Sequence, residues 1–475
     1  MRGLLIYAMR KYLAIIAMLF LSMAISAQKH DNLLLWGYDE TPTETIWGGM
    51  VLDFSEPKVR LYAQKRKIDL GFYVITGIDS SGRLLYYTNG ISIRDTTHNR
   101  MLNGDTINPG PVWEQMKDYD YPNGPFGFSL PAPGMPNCYY MFHMGSSFIP
   151  TLSTAPFYYT LINMALNNDK GAVVEKNKII LPLGSDYTAP VAVKHGNGRD
   201  WWIITGEVST PLIHTFLLDP AGVHGPFTTT MPYQFPGDEY QSVNDISPDG
   251  QTYVRCDDFN GLYIYNFNRC SGAFSNLKVM PFGDEDFWCI TSVFGPDSKK
   301  LYLSTFSGIT AVDLSAPDIS ASFDTLAWYD GNVQPLGTGF FNPNLFPDGK
   351  IYYATTNSNQ TLHVIHNPEL PGFAADAEQH GLFLPKLNNG SMCLYPNYRL
   401  AEWEASPCDT LNGQRPGDGF IKTDYLPSEA TRAGYTLLPP LIRKPAGQRR
   451  EGPAPERPPI QELVRRQLEA RKEQH

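Results

Sequence analysis

The chain has 475 residues, 38 Lys/Arg against 48 Asp/Glu, and a formal net charge of −10. An acidic body of this size offers no basic face for phosphates, which excludes nucleic acid as a partner. Aromatic residues make up 13% and charged residues only 18%, alongside 41 Gly and 39 Pro, a composition that suits a large, loop-rich β protein rather than a helical or disordered chain.

At the N-terminus, Arg2, Arg10 and Lys11 precede or open an apolar run, Tyr12 to Ile25, which ends in Ser26-Ala27-Gln28. This is the layout of a secretory signal over residues 1–27, cleaved near Ala27; the run is short for a membrane span and ends in small residues. An uncleaved anchor is the alternative. No cysteine stands at the cleavage point, so a lipoprotein is not expected, and no later segment could span a bilayer. The expected location is periplasm, cell surface or medium.

Beyond Asn32 the chain repeats one pattern, a polar turn followed by an apolar-aromatic strand. The plainest copies are Pro248-Asp249-Gly250, Pro296-Asp297-Ser298 and Pro347-Asp348-Gly349. Aligned on the turn, six marks fall at 82, 136, 198, 250, 298 and 349. Pro and Gly shape such bends and Asp caps them, so Asp249, Asp297 and Asp348 are turn residues and not catalytic ones. The runs that follow, such as Trp201-Trp202-Ile203-Ile204, are rich in the types that fit a pleated, half-buried surface. Repetition at this period predicts an all-β, seven-bladed β-propeller over residues 32–411, with six blades as the alternative. Residues 32–403 divided by seven give about 53 per blade, close to the observed spacing. The seventh blade is expected to join the two ends of the chain: Met50–Phe54 and Lys58–Tyr62 with the segment around Met392–Tyr395. That removes exposed sheet edges.

Three connections are dense in aromatics: Tyr119 to Phe128, Tyr233 to Tyr240, and Phe282 to Trp288. Exposed aromatic-polar loops suit recognition of a protein or a glycan, which makes Tyr119, Tyr121, Phe126, Phe128, Tyr233, Phe235, Tyr240 and Trp288 the candidate binding residues. The competing reading has these rings filling gaps between blades. Six cysteines, at 138, 256, 270, 289, 393 and 408, fit an oxidising compartment. Sequence does not choose among their pairings; Cys393 and Cys408, near each other and flanked by loop-like residues, are the expected bridge. Their spacing matches no zinc site.

Residues 412–446 read as an irregular segment wrapped on the propeller surface. Residues 447–475 form a basic, Pro/Arg-rich tail; from Arg443 onward it holds nine Lys/Arg against five Glu. Ile460, Leu463, Val464 and Leu468 place one apolar stripe on a short helix over 460–472, either a docking element for an envelope complex or a solvated, marginal helix.

Several segments together resemble a family of secreted propellers from Bacteroidetes, often cargo of type IX secretion. Met50-Val51-Leu52-Asp53-Phe54 resembles the family's opening segment. Ser80 to Gly90 resembles its Gly-x-Leu-Leu-Phe-Tyr-Thr-Asn-Gly strand pair, and Leu394 to Leu400 with Ser406 to Leu411 the segment that ends its propeller. The chain departs from the family at Glu40–Trp47, which looks inserted, and in ending on the basic tail where many members carry a sorting domain. The resemblance implies a secreted propeller and no established catalytic residues.

No strong catalytic constellation is legible. His363 and His366 lie three apart in a predicted strand and point to opposite faces, so they do not share a metal. His195 sits in a turn and reads as an exposed residue. Asp284-Glu285-Asp286 and Asp257-Asp258 could attract Ca²⁺ but lack a calcium-loop spacing, so no cofactor is expected. A Ser/His/Asp triad is recognised by geometry and stays open. The reading that results is an exported binding scaffold for a protein or polysaccharide partner. A lactonase-like or other propeller hydrolase with an axial metal site is one alternative, and an accessory subunit of an envelope complex is another.

Overall fold

The structure, a computed structural model, describes residues 28–38, 46–56, 58–122, 127–146, 156–233, 242–257, 260–282, 289–333, 336–390, 392–408 and 436–439. The expected signal, the tail helix over 460–472, and Phe126, Phe235, Tyr240 and Trp288 lie outside these residues.

Seven antiparallel sheets form the blades of a propeller. Blade 1 holds Leu33–Gly37, Gly49–Asp53 and Arg60–Ala63; blade 2 holds Ile75–Ile78, Leu84–Thr88 and Ile93–Asp95. Blade 3 holds Gly127–Pro131, Cys138–Met144, Phe157–Asn163 and Ala172–Leu181; blade 4 holds Val191–Lys194, Trp201–Gly206, Leu212–Asp219 and Gly222–Thr230. Blade 5 holds Ser242–Ile246, Thr252–Asp257, Gly261–Phe267 and Phe274–Pro281. Blade 6 holds Thr291–Phe294, Lys300–Thr305, Gly308–Asp313 and Asp324–Trp328; blade 7 holds Phe340–Leu345, Ile351–Thr355, Ser358–Ile365 and Ala377–Asn389. In blades 2 to 7 the first strand is the inner one, and the first strands of neighbouring blades pack against each other around the axis.

The core lies between blades, not within them. Each blade is covered on both faces by its neighbours, so its central strands are apolar throughout instead of alternating. All six residues of Trp201–Gly206 and all five of Ile351–Thr355 are buried. One cluster packs Phe128, Leu130 and Phe142 of blade 3 against Trp201, Ile203 and Phe216 of blade 4. Another joins Trp36 and Leu52 of blade 1 to Tyr352 and Leu362 of blade 7.

The repeated turns behave as their chemistry requires. The Asp249, Asp297 and Asp348 carboxylates accept hydrogen bonds from the backbone N–H two residues on, at 3.0, 3.0 and 3.2 Å. Gly250 takes φ 71°, and Ser298 holds the same left-handed conformation at φ 60° in the copy that lacks glycine.

Ring closure joins the two chain ends, with a different pairing from the one expected. Gly49–Asp53 pairs with Leu33–Gly37 on one side and Arg60–Ala63 on the other. Met392–Tyr395 forms no ladder; it fills the inner position of blade 1, between blades 7 and 2. The Cys393 carbonyl accepts from Asn344 Nδ2 at 2.8 Å, the Cys393 thiol meets Thr76 Oγ1 at 3.4 Å, and the Tyr395 hydroxyl donates to Leu33 O at 2.6 Å. The apolar Leu33-Leu34-Leu35-Trp36 run is the better partner because it is buried on both faces.

A six-residue helix, Pro111–Met116, interrupts the connection from blade 2 to blade 3. It opens on proline, which suits a first helical turn, and is too short to show a periodic pattern in sequence. Thr436–Leu437 adds in parallel to the outer strand of blade 5. No helix among the described residues is long and apolar enough to cross a membrane.

Candidate functional site

The two ends of the propeller differ. The hairpins joining first to second strands lie at one end, and the segment after Tyr395 crosses that end as a strap. Asn397 Nδ2 donates to Pro248 O of blade 5 at 2.8 Å, and the Tyr398 hydroxyl donates to Ser129 O of blade 3 at 2.5 Å. Arg399 pairs with Asp31 and reaches Asn32 Oδ1 at 2.8 Å. Arg269 Nη2 donates to Ala401 O at 2.6 Å, and the Trp403 N–H donates to Gly196 O of blade 4 at 2.7 Å. The strap ends in a disulfide between Cys408 and Cys270 of blade 5.

This corrects the expected Cys393–Cys408 bridge. Cys393 is fully enclosed beside Thr76, and burial pushes its thiol up to about 11. Cys408 has been carried across the end of the ring by the strap, where Cys270 meets it. Cys256 and Cys289, from the second strand of blade 5 and the approach to blade 6, face each other at 2.6 Å in the core.

Tyr398 is the centre of the strap. It is 1% exposed and stands edge-on to Trp201 with centroids 5.7 Å apart. Burial holds its hydroxyl well above the ordinary tyrosine range. His195, expected to be exposed, is also buried beneath the strap; its Nε2 lies 2.9 Å from Cys270 O and burial lowers its pKa. Cations gather there. Lys194 is 5% exposed, lies over the Trp201 ring at 5.6 Å and is pulled down to about 8 by burial and by Arg269.

At the opposite end, outer strands feed the inner strands of the next blade. Arg255 of blade 5 is fully buried and braces the blade 4 turn after Gly206, donating to Glu207 O at 2.9 Å and Thr210 O at 3.3 Å. The Glu207 carboxylate accepts from Ser185 Oγ at 2.6 Å and lies 3.3 Å from His214 Nε2. All three aromatic connections leave from this end, as their flanking residues show. The candidate residues divide, however. Tyr121 and Phe128 are each 1% exposed: Tyr121 accepts from the Ser146 N–H at 2.9 Å and packs on Tyr73, while Phe128 belongs to the inner strand of blade 3. They are core residues, because a ring next to an inner strand is drawn between blades. Tyr233 is partly buried against Tyr263, with centroids 5.4 Å apart. Tyr119 alone of the described four is exposed, at 42%.

Between the two ends, the inner strands of blades 5 and 6 carry polar groups that the sequence reading did not single out. The Asp245 carboxylate bridges the two strands, accepting from the Ile246 N–H at 2.7 Å and the Phe294 N–H at 2.9 Å. Burial raises its pKa to about 7 despite those two donors, so both protonation states are populated near neutrality. On the same two inner strands Asn244 Oδ1, Thr291 Oγ1 and Ser292 Oγ are buried with no hydrogen-bond partner among the described residues, while Asn244 Nδ2 is held by Thr188 and by Ala189 O on the blade 4 side. Buried polar atoms of this kind are satisfied by enclosed water or by a ligand. The clue in the sequence was Ser242-Val243-Asn244-Asp245-Ile246, an inner strand with three polar residues in five.

The other candidates resolve into structural roles. His363 is buried with Nε2 at 2.6 Å from Thr338 O, whereas His366 pairs with Glu378 at 2.8 Å, so the two do face apart. Asp257 accepts from Asn260 Nδ2 at 2.9 Å. Among the described residues no group of three or more His, Cys, Asp or Glu side chains is placed to hold a metal ion.

No family model and no curated protein matches the chain. Solved structures do. A periplasmic gluconolactonase from Pseudomonas aeruginosa aligns with 75% of this chain and 97% of its own at 12% identity and a TM-score of 0.47. A Bacteroides uniformis protein provisionally named a 6-phosphogluconolactonase aligns over 75% and 98% at 12% identity and a TM-score of 0.46. A Lactobacillus plantarum protein gives the same coverage, identity and TM-score. The likeness is one of general architecture, and no residue role is carried across from it.

Proposed function

We propose that the chain is an exported binding propeller that takes a polyhydroxylated saccharide on its axis, entering from the end opposite the strap. The observation that carries this reading is the polar set at the inner strands of blades 5 and 6. Asp245, Asn244, Thr291 and Ser292 supply acceptors and hydroxyls of the kind that pair with sugar hydroxyls, and one atom of each of the last three lacks a partner among the described residues. The strap supports the direction of entry, since it occupies the other end. The Cys270–Cys408 disulfide supports export, because such bonds persist in oxidising compartments.

A second reading rests on Asp245 alone. A carboxyl poised near 7 suits a general base that takes a proton from water attacking a lactone carbonyl. Gluconolactone, the compound in the name of the Pseudomonas aeruginosa neighbour, is the first compound to assay. Calorimetric titration of the full chain with a panel of soluble oligosaccharides, paired with a gluconolactone hydrolysis assay, separates the two. Binding without turnover that weakens in Asp245→Asn supports the binding reading. Turnover abolished by the same substitution moves the assignment to a hydrolase. Oligosaccharide binding that Asp245→Asn leaves intact contradicts the axial site.

A further inference from the structure

We propose that Cys256 and Cys289 form a second disulfide, a staple between blades 5 and 6 enclosed within the fold. Its oxidant belongs to an oxidising compartment, so the proposal rests on the export reading.

Three observations point to it. The first is distance. The two sulfurs stand 2.6 Å apart. Non-bonded heavy atoms meet at about 3.5 Å or more, whereas a sulfur–sulfur bond is about 2.05 Å long. A pair of free thiols would have to move apart inside a close-packed core, while a bonded pair only draws together.

The second is place. Cys256 stands opposite Val243 of the inner strand of blade 5, and Cys289 lies two residues before Thr291, where the inner strand of blade 6 begins. Both belong to one apolar cluster with Met280 of blade 5 and with Leu301 and Leu303 of blade 6. Towards the strapped end these blades are already tied. The Phe294 N–H donates to the Asp245 carboxylate at 2.9 Å, and the Asp249 N–H donates to Ser298 Oγ at 3.0 Å. The cysteines sit towards the other end, and a bond between them ties the same two blades there.

The third is the position of the remaining cysteines. Cys270 is bonded to Cys408. Cys393 lies against Thr76 in the inner position of blade 1, and Cys138 opens the second strand of blade 3. Neither belongs to the contact between blades 5 and 6.

The bond forms by thiol–disulfide exchange. One cysteine thiolate attacks a sulfur of a disulfide oxidant and expels one of its thiolates. The other cysteine then attacks the mixed disulfide and expels the second. The chain loses two thiol hydrogens with two electrons, and the oxidant's disulfide is reduced to two thiols. Cys256 is 0% exposed and Cys289 2%, so the exchange precedes the docking of blade 6 on blade 5.

Peptide mapping of the full chain, purified from its native producer without reductant and alkylated on unfolding, tests this. The Cys270–Cys408 bond is the internal control. The expected map joins the Cys256 and Cys289 peptides, lighter by two hydrogens than the separate peptides together, alongside the control pair. In the native state, mild reductant is expected to open Cys270–Cys408 roughly tenfold faster, because Cys270 is partly exposed and the staple is enclosed. Cys256 and Cys289 alkylated beside an intact control bond, or either of them linked to another cysteine, overturns the staple and leaves the export reading standing. All four alkylated overturns both. Equal rates of reduction overturn the enclosure of the bond.

Discussion

The strapped end and the open end of this propeller are built from the same hairpins and loops, yet they are stabilised in opposite ways. At the strapped end, one segment of about a dozen residues touches blades 1, 3, 4 and 5 and is locked by Tyr398, Arg399 and a disulfide. At the open end no such segment is described; each turn is braced from beside, as Arg255 braces the turn after Gly206. The difference teaches that ring closure is fastened at one end, which leaves the other end for the ligand entry of the proposed function. A fold whose two chain ends meet in one blade needs a clasp, and the clasp occupies one mouth of the axis.

If the strap is the clasp, breaking it should give the largest effect. Replacing Cys270 and Cys408 by Ser opens a loop of 138 residues, which the chain-entropy account values at about 4–5 kcal/mol. Tyr398→Ala should cost about as much, on the order of 3–5 kcal/mol, by leaving a cavity against Trp201. Urea unfolding of the single and combined variants should show that these losses are not additive, because both act on one segment. Fully additive losses would mean that the strap is not a unit.

The pH dependence sharpens the comparison from the interior. His143 is fully buried between Asn108 Oδ1 at 2.6 Å and Thr160 Oγ1 at 2.8 Å, and burial lowers its pKa to about 3; His363 is lowered to about 4. Both bind fewer protons folded than unfolded, so their contribution is complete above about 6.5 and is lost as pH falls towards 4 and below. Asp245 has the opposite sign. Its folded pKa of about 7 lies above the reference value of 3.8, so its contribution declines as pH rises through that window. Urea midpoints at pH 5 and pH 8 should therefore differ less in Asp245→Asn than the single-site slope of the wild type implies. His143→Asn, in turn, should flatten the acid limb.

The smallest effect belongs to the rim of the strap. The Arg399 side chain is 30% exposed, so Arg399→Ala should cost about 1 kcal/mol or less, and less still at high salt. A loss as large as that of Tyr398→Ala would place the centre of the clasp at the ion pair instead.

Much of the architecture was legible in the chain. The turn marks at 82, 136, 198, 250, 298 and 349 all fall in hairpins between first and second strands, because Pro, Asp and Gly encode a bend locally. Trp201–Gly206 was legible as a strand because both of its faces are buried. The strap was not legible, since Pro396 to Cys408 has no periodic pattern and its partners lie up to 368 residues away, as for Arg399 and Asp31. For the same reason Cys393 appeared the natural partner of Cys408. The aromatic connections were legible as sequence, but whether a ring turns inward depends on the neighbouring blade, and Tyr121 and Phe128 turned inward. Asp245 was hidden among acidic residues more conspicuous than itself; only the approach of blade 6 places the Phe294 N–H against its carboxylate.

The most direct test of the two-ended account is a crystal structure of the full chain soaked with the tightest-binding saccharide of the oligosaccharide panel. The account predicts the sugar on the axis, beside Asp245 and the inner strands of blades 5 and 6, approached from the end opposite Tyr398. A sugar bound instead against the strap, or on the Asp249, Asp297 and Asp348 turns, would contradict it.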